Sequence, residues 1–156
     1  MPNFPESLDL EMLFDVHVDL EPPQDLGTTP LGARRIFIVK GGTFEGPKMR
    51  GTMLPGGGDW WLGLGNRAGE LDVRATLRTD DGAMMLMTYC GVLDVKPEVA
   101  GRALSGEDVD PSEYYFRTTP RFETGAEQYA WLNKLVCVAI GWIGPNKVAY
   151  RVFAVR

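Results

Sequence analysis

The stretch at residues 72–92, "DVRATLRTDDGAMMLMTYCGV", reads as two β-strands joined at Asp81-Gly82. A two-residue Asp-Gly loop forms a type I′ turn, which needs positive φ at both central positions and so marks a hairpin. With that loop, Leu77 faces Leu86, Ala75 faces Thr88 and Arg74 faces Tyr89. One sheet face then carries Leu71, Val73, Ala75 and Leu77 with Met84, Leu86 and Val92. The other carries Asp72, Arg74, Thr76 and Arg78 with Met85, Met87, Tyr89 and Gly91. That second face is too apolar for open solvent and too charged for a plain core. Two readings follow. Either arginine stems lie over methionines on a half-exposed face, or the face is a pocket wall. In the second case Asp72 and Arg74 orient a ligand whose body rests on the apolar area.

The same period-two alternation runs through the rest of the chain. In "LEMLFDVHVDL" (10–20) the even positions are all apolar, while Glu11, Asp15, His17 and Asp19 stand at odd ones, giving a long strand with one buried face. "EPPQDLGTTP" (21–30) is a Pro-rich connection that cannot continue it. "GARRIFIVKGG" and "TFEGPKMRGTML" read as strands, the latter bent at Gly46-Pro47, and "PGGGDWWLGLG" as a Gly-rich turn entering a short aromatic strand. Residues 94–112 form a polar loop with at most one helical turn, and "EYYFRTT" is a strand. "PRFETGAEQ" is irregular. "YAWLNKLVCVAIGWIG" has the length of a helix, but its β-branched residues and closing Gly144-Pro145-Asn146 favour a strand. "NKVAYRVFAVR" closes the chain as the last strand. About nine strands in near-sequential hairpins, with little helix, predict an all-β protein of one domain over residues 1–156. An antiparallel up-and-down barrel removes the exposed edges so many strands would leave, and a sandwich is the competing architecture.

Composition narrows the function classes. The chain has 156 residues, 44% of them hydrophobic, and a net charge of −5. An acidic chain lacks the electrostatic footprint of a nucleic-acid binder, although "GARRIF" and "RTTPRF" each bring two arginines together. No apolar run approaches the length of a membrane span and no secretory signal is visible, so the cytoplasm is the expected compartment. Cys90 and Cys137 lie in apolar runs and are expected as two buried free thiols. The single histidine, His17, has no second histidine with which to share a metal, and no metal motif is present. The Gly-rich stretches lack the endings of phosphate-binding loops, and no serine sits in a nucleophile elbow.

Three runs in order, "GGTFEGPKMRGTMLPGGGDWW", "GELDVRATLRTDDGA" and "YYFRTTPRFETG…YAWLN", resemble the bacterial and fungal family called domain of unknown function 3237, or uncharacterised protein family 0311. The resemblance covers the chain from about residue 8 to its end. It implies a lipocalin-like β-barrel and brings no established activity. Among the residues matching its motifs, the glycines, Pro47 and Asp81 have an explanation as turn and bulge residues. Asp59, Asp72, Arg74, Glu123 and Asn133 are harder to explain as turn chemistry, and Trp60, Phe116 and Trp131 stand with them. Ala75 replaces an expected aromatic residue, and Tyr89 stands where a small polar amide is more usual.

These residues have the composition of a small-molecule site. Asp72, Arg74 and Glu123 are the candidate catalytic residues: a carboxylate shielded from water acts as general base and Arg74 stabilises a developing oxyanion. Asp59, Trp60, Tyr89, Phe116, Trp131 and Asn133 are the candidate ligand-binding residues. Each also has a structural explanation: Asp59 as a turn cap, Glu123 as a partner of Arg121, Trp131 as core filling. The expected ligand is a small, partly apolar, oxygen-bearing organic molecule, bound without cofactor or metal. The expected chemistry is proton transfer, as in an isomerase, cyclase or lyase. A carrier or sensor with the same cavity, and an assembly protein whose charged face packs on another subunit, remain as alternatives. Homo-oligomerisation fits all three.

Overall fold

A computed structural model describes residues 2–65 and 68–156. Twelve strands lie in one antiparallel sheet: β1 (Leu10–Leu20), β2 (Gln24–Thr29), β3 (Gly32–Glu45), β4 (Arg50–Met53), β5 (Gly58–Asp59), β6 (Leu62–Gly63), β7 (Ala68–Thr79), β8 (Met84–Asp94), β9 (Tyr115–Thr118), β10 (Arg121–Glu123), β11 (Cys137–Gly144) and β12 (Lys147–Val155). The ring β7–β8–β9–β11–β12–β1–β3–β4 closes on itself, so the expected barrel is present, with eight strands in the wall and four short additions. The short strands β4, β5 and β6 act as one interrupted stave. They pair successively with β3 on one side and β7 on the other. The free edge of β8 is shared by β10 and β9.

The expected type I′ turn at Asp81-Gly82 is not what forms. Arg78 pairs with Met84 and Leu77 with Met85, so the loop is the three residues Asp80, Asp81 and Gly82. Gly82 takes φ +90°, the left-handed position of the bulged hairpin turn. Thr79 holds this turn: its N–H donates to Ala83 O, its hydroxyl accepts from Ala83 N–H, and it donates to Asp81. One extra loop residue shifts the phase of β8 relative to β7, and a one-residue slip exchanges the faces. Leu71, Val73, Ala75 and Leu77 therefore share the inner face with Met85, Met87 and Tyr89, all buried. Asp72, Arg74 and Arg78 face outward beside Met84, Leu86 and Cys90. The placement of Asp72 and Arg74 on an inner wall is corrected.

Other boundaries moved for local reasons. β1 stops before Pro22-Pro23, but residues 24–29, expected as connection, form β2 and a hairpin with β3. A bulge between Met12 and Phe14 turns both Leu13 and Phe14 inward. Residues 127–134 form a 3₁₀ helix that takes up the start of the strand expected from Tyr129, and strand pairing begins only at Cys137. The loop after β8 contains a helix α1 (Pro97–Leu104), with Pro97 in its first turn and Val99 and Ala103 buried. Among the described residues no helix is long and apolar enough to cross a membrane.

The barrel has two unlike halves. At one end Phe14 packs against Phe44 and Phe122 with ring centroids 5.5 and 5.7 Å apart, and Leu77, Met85, Met87 and Val152 complete a dense plug. The 3₁₀ helix over Glu127–Lys134 covers this end, where the Tyr129 hydroxyl donates to Asp81 at the tip of the β7–β8 hairpin. The other half is hollow. Here β3 enters, β8 and β12 pass, and α1 lies over the rim.

Candidate functional site

The hollow half is a cavity of about 760 Å³, within the usual range for small-molecule sites. Its wall is mostly aliphatic and aromatic, and few polar groups reach it. Asp59 is the central one. Antiparallel partners share a face, and Asp59 pairs with Phe37 on one side and Val73 on the other; Val73 in turn pairs with Tyr89. The row Phe37, Asp59, Val73, Tyr89 is thus directed inward across four strands. Two strand spacings, about 10 Å of backbone, separate Asp59 from Tyr89, near enough for the Asp59 charge to act on the phenol.

Tyr150 comes from the opposite wall. It pairs with Val16 and Gly141, and its ring meets Tyr89 edge-on at 5.3 Å between centroids. The two phenols are close enough for each to act on the other's ionisation. Phe116 packs on Tyr150 at 5.3 Å, in space that exists because Gly141 has no side chain: a Cβ there would lie 2.4 Å from the Phe116 ring. Trp61 is held in the same manner, with a Cβ on Gly69 falling 2.3 Å from its indole nitrogen. The indole thus lies flat on the backbone of β6 and β7.

Electrostatics follow from this enclosure. Removal from water pushes the Asp59 carboxyl up to about 7, helped by the nearby Asp72 charge. The Asp72 N–H, which donates to Asp59 Oδ1 at 3.0 Å, and the Arg34 guanidinium oppose the rise without cancelling it. Burial pushes both phenols upward as well, and the Asp59 charge adds to the effect. Tyr89 and Tyr150 therefore remain protonated donors while Asp59 changes charge near neutrality.

The residues expected at the site fall into three places. Asp59, Tyr89 and Phe116 meet in the cavity. Asp72 and Arg74 form an ion pair of 3.3 Å on the outer wall, with side chains 54% and 59% exposed. Trp60 also faces outward, in a groove with Asp72 and Cys90. Cys90 is exposed, against the expectation of two buried thiols; Cys137 is buried, and desolvation raises it to about 11. Glu123, Trp131 and Asn133 lie at the plugged end. Glu123 is an exposed strand residue opposite Leu86. Trp131 lies under the Lys48 ammonium, 5.5 Å from the ring centroid. Asn133 brackets Thr124, accepting its N–H and donating to its carbonyl, both at 2.9 Å.

Among the cavity residues that the sequence reading does not name are Arg35, Trp61 and Tyr150. Parity carried a signal for two of them. Once Asp59 is inward, Trp61 two positions on is inward too, and in "NKVAYRVFAVR" Tyr150 alternates with Val152 and Ala154. Among the described residues no three His, Cys, Asp or Glu side chains converge as a metal-binding group.

The whole chain carries the family signal. The model of the family described as "Protein of unknown function (DUF3237)" matches residues 8–155. The chain belongs to the DUF3237 family. A UPF0311 protein of Bradyrhizobium diazoefficiens is 35% identical over 133 residues, 85% of this chain and 87% of the relative. Another from Clostridium acetobutylicum is 30% identical over 151 residues, 96% of each. The DUF3237 barrel also superposes on a β-barrel-like protein of Acinetobacter baumannii with a TM-score of 0.85 at 36% identity, covering 99% of this chain and all of that one. A conserved Rhodopseudomonas palustris protein of unknown function gives a TM-score of 0.90 at 30% identity, covering 97% and 100%. A structure described as an enzyme from Penicillium herquei shares the fold, with a TM-score of 0.73 at 20% identity over the full length of both.

Proposed function

We propose that this DUF3237 barrel is a cofactor-independent proton-transfer enzyme acting on a small, largely apolar, carbonyl-bearing molecule inside the cavity. The observation that carries the proposal is the enclosure of Asp59 in an apolar hollow that it shares with the Tyr89–Tyr150 hydroxyl pair. A carboxylate poised at about 7 is basic enough to remove a proton from the carbon beside a carbonyl, yet half ionised at neutral pH. The electron pair released moves onto the carbonyl oxygen. A neutral phenol hydroxyl donates to that oxygen as charge develops there. Asp59 then returns the proton to the same or a neighbouring carbon, giving exchange or isomerisation with no net change in oxidation state. The aromatic wall holds the substrate body and excludes water. In this assignment Asp59, placed by sequence among the binding residues, takes the base role expected of Asp72 or Glu123, and Tyr89 with Tyr150 takes the role expected of Arg74.

The test uses 4-phenyl-2-butanone in D₂O, with loss of its α-proton signals followed by NMR. Wild-type protein accelerates exchange. Asp59→Asn abolishes the acceleration while still binding the ketone, and Tyr89→Phe reduces it by roughly 10²-fold. Binding by wild-type protein without accelerated exchange identifies a carrier and overturns the enzymatic reading.

A further inference from the structure

The mouth of the cavity carries charge that the proton-transfer chemistry does not use. Arg35 occupies an inward position of β3, in register with Ala33, Phe37 and Val39, and lines the cavity near its rim. Its Nε donates to Asp25 Oδ2 at 3.0 Å, and its guanidinium carbon lies 5.8 Å from the centre of the Trp61 ring. Neither Nη makes a hydrogen bond to any other described residue. A guanidinium fork has two parallel edges, and here Asp25 takes one nitrogen while the terminal pair is left over. Trp61 itself is fixed against Gly63 and Gly69, so the platform under Arg35 is rigid. Lys147, which lines the same cavity, is held only loosely by Asp19 at 3.8 Å.

We propose that the cavity accepts a monoanionic organic acid, with its carboxylate held at the mouth by the Nη groups of Arg35 and its apolar body directed inward toward Asp59. The proposal rests on the reading of the cavity as the active site and names the class of its substrate. Charge fixes the direction of entry. Asp59 and the two tyrosine hydroxyls are the polar groups at depth, and an ionised Asp59 repels a second anion there. Arg35 and Lys147 offer cations at the rim, within reach of water that can solvate the rest of the carboxylate. Asp25, the one carboxylate in contact with Arg35, is occupied by that Nε and by the Gly27 N–H at 2.8 Å. It therefore positions the guanidinium without filling its outer edge. A neutral ligand of the same shape would gain the wall contacts alone.

The probes are 5-phenylpentanoate and its neutral counterpart 5-phenylpentanamide, titrated calorimetrically into the full chain at pH 8. Wild-type protein binds the acid about tenfold more tightly than the amide, the size of one charge-assisted contact at a partly wet site. Arg35→Met removes that preference, weakening the acid about tenfold and leaving the amide within about twofold. Arg35→Gln gives the same pattern and guards against a packing defect from Met on the Trp61 face. Arg74→Met, on the outer wall, changes neither ligand. Equal binding of acid and amide by wild-type protein overturns the proposal and leaves the cavity reading intact. So does equal weakening of both ligands by Arg35→Met. Failure of both probes to bind at millimolar concentration removes the cavity reading and this proposal together.

Discussion

Replacing Asp59 with Asn changes almost nothing in shape and removes one ionisation, so the stability of Asp59→Asn against pH measures the enclosure directly. In the folded chain the carboxyl titrates at about 7, against an ordinary 3.8. The folded state therefore binds this proton more tightly than the unfolded state does. Stability from Asp59 is fully present below the ordinary value, falls as pH climbs between the two, and is completely lost above about 7. About three units at about 1.4 kcal/mol each give an upper figure of about 4 kcal/mol. Asp59 is half-buried rather than sealed, so the realistic figure is roughly 2–4 kcal/mol. Asn cannot ionise, and its Oδ1 still accepts the Asp72 N–H. The assay is urea unfolding of both proteins, followed by tryptophan fluorescence, from pH 4 to 9. The difference between them starts near zero at pH 4. It grows in favour of the variant by up to about 1.4 kcal/mol per pH unit and levels off above pH 7. At pH 8 the variant melts roughly 5–15 °C above the wild type. A difference that stays flat from pH 4 to 8 refutes the desolvated carboxyl, and with it the base assigned to this position.

Two further outcomes test the wall that surrounds the site. The Asp72–Arg74 pair is open to solvent, so Asp72→Asn and Arg74→Ala each change unfolding free energy by less than about 1 kcal/mol and leave ligand affinity unaltered; a large loss of affinity would return these residues to the site. Gly69→Ala drives a methyl into the Trp61 indole and costs about 1–3 kcal/mol with a red shift in tryptophan emission, whereas Gly101→Ala in α1 meets no atom within 4 Å and stabilises by about 0.5–1 kcal/mol. Equal effects of the two substitutions would mean that Trp61 is not seated as described.

Much of this barrel was legible in its sequence. The alternation in β1, β7 and β12 is strict enough to reveal strands, because in an extended chain successive side chains must leave on opposite sides. The prolines after Leu20 and the Asp-Gly of the β7–β8 loop marked where strands end. The failures have identifiable causes. Asp81-Gly82 was read as a two-residue loop, yet Thr79 uses its own hydroxyl to close a three-residue one, and that single residue reversed the inner and outer faces of β8. Residues 24–29 carry little alternation, since β2 is exposed along nearly its whole length and has no buried face to imprint on its sequence. Asp59 was legible as a polar residue without a full turn explanation, but its role was not.

By itself, then, the sequence determined a set of strands, their approximate limits and a family of barrels, because those properties depend on local geometry and on the spacing of apolar residues. It did not determine which side of β8 faces the hollow, since apolar residues stand on both of its faces and only the loop length sets its phase against β7. Closure of the ring decided the rest. Asp59, Tyr89, Tyr150 and Arg35 come from β5, β8, β12 and β3. Their meeting around one cavity, and the loss of water that shifts the Asp59 carboxyl, exist only once the wall has curved far enough to bring opposite strands together.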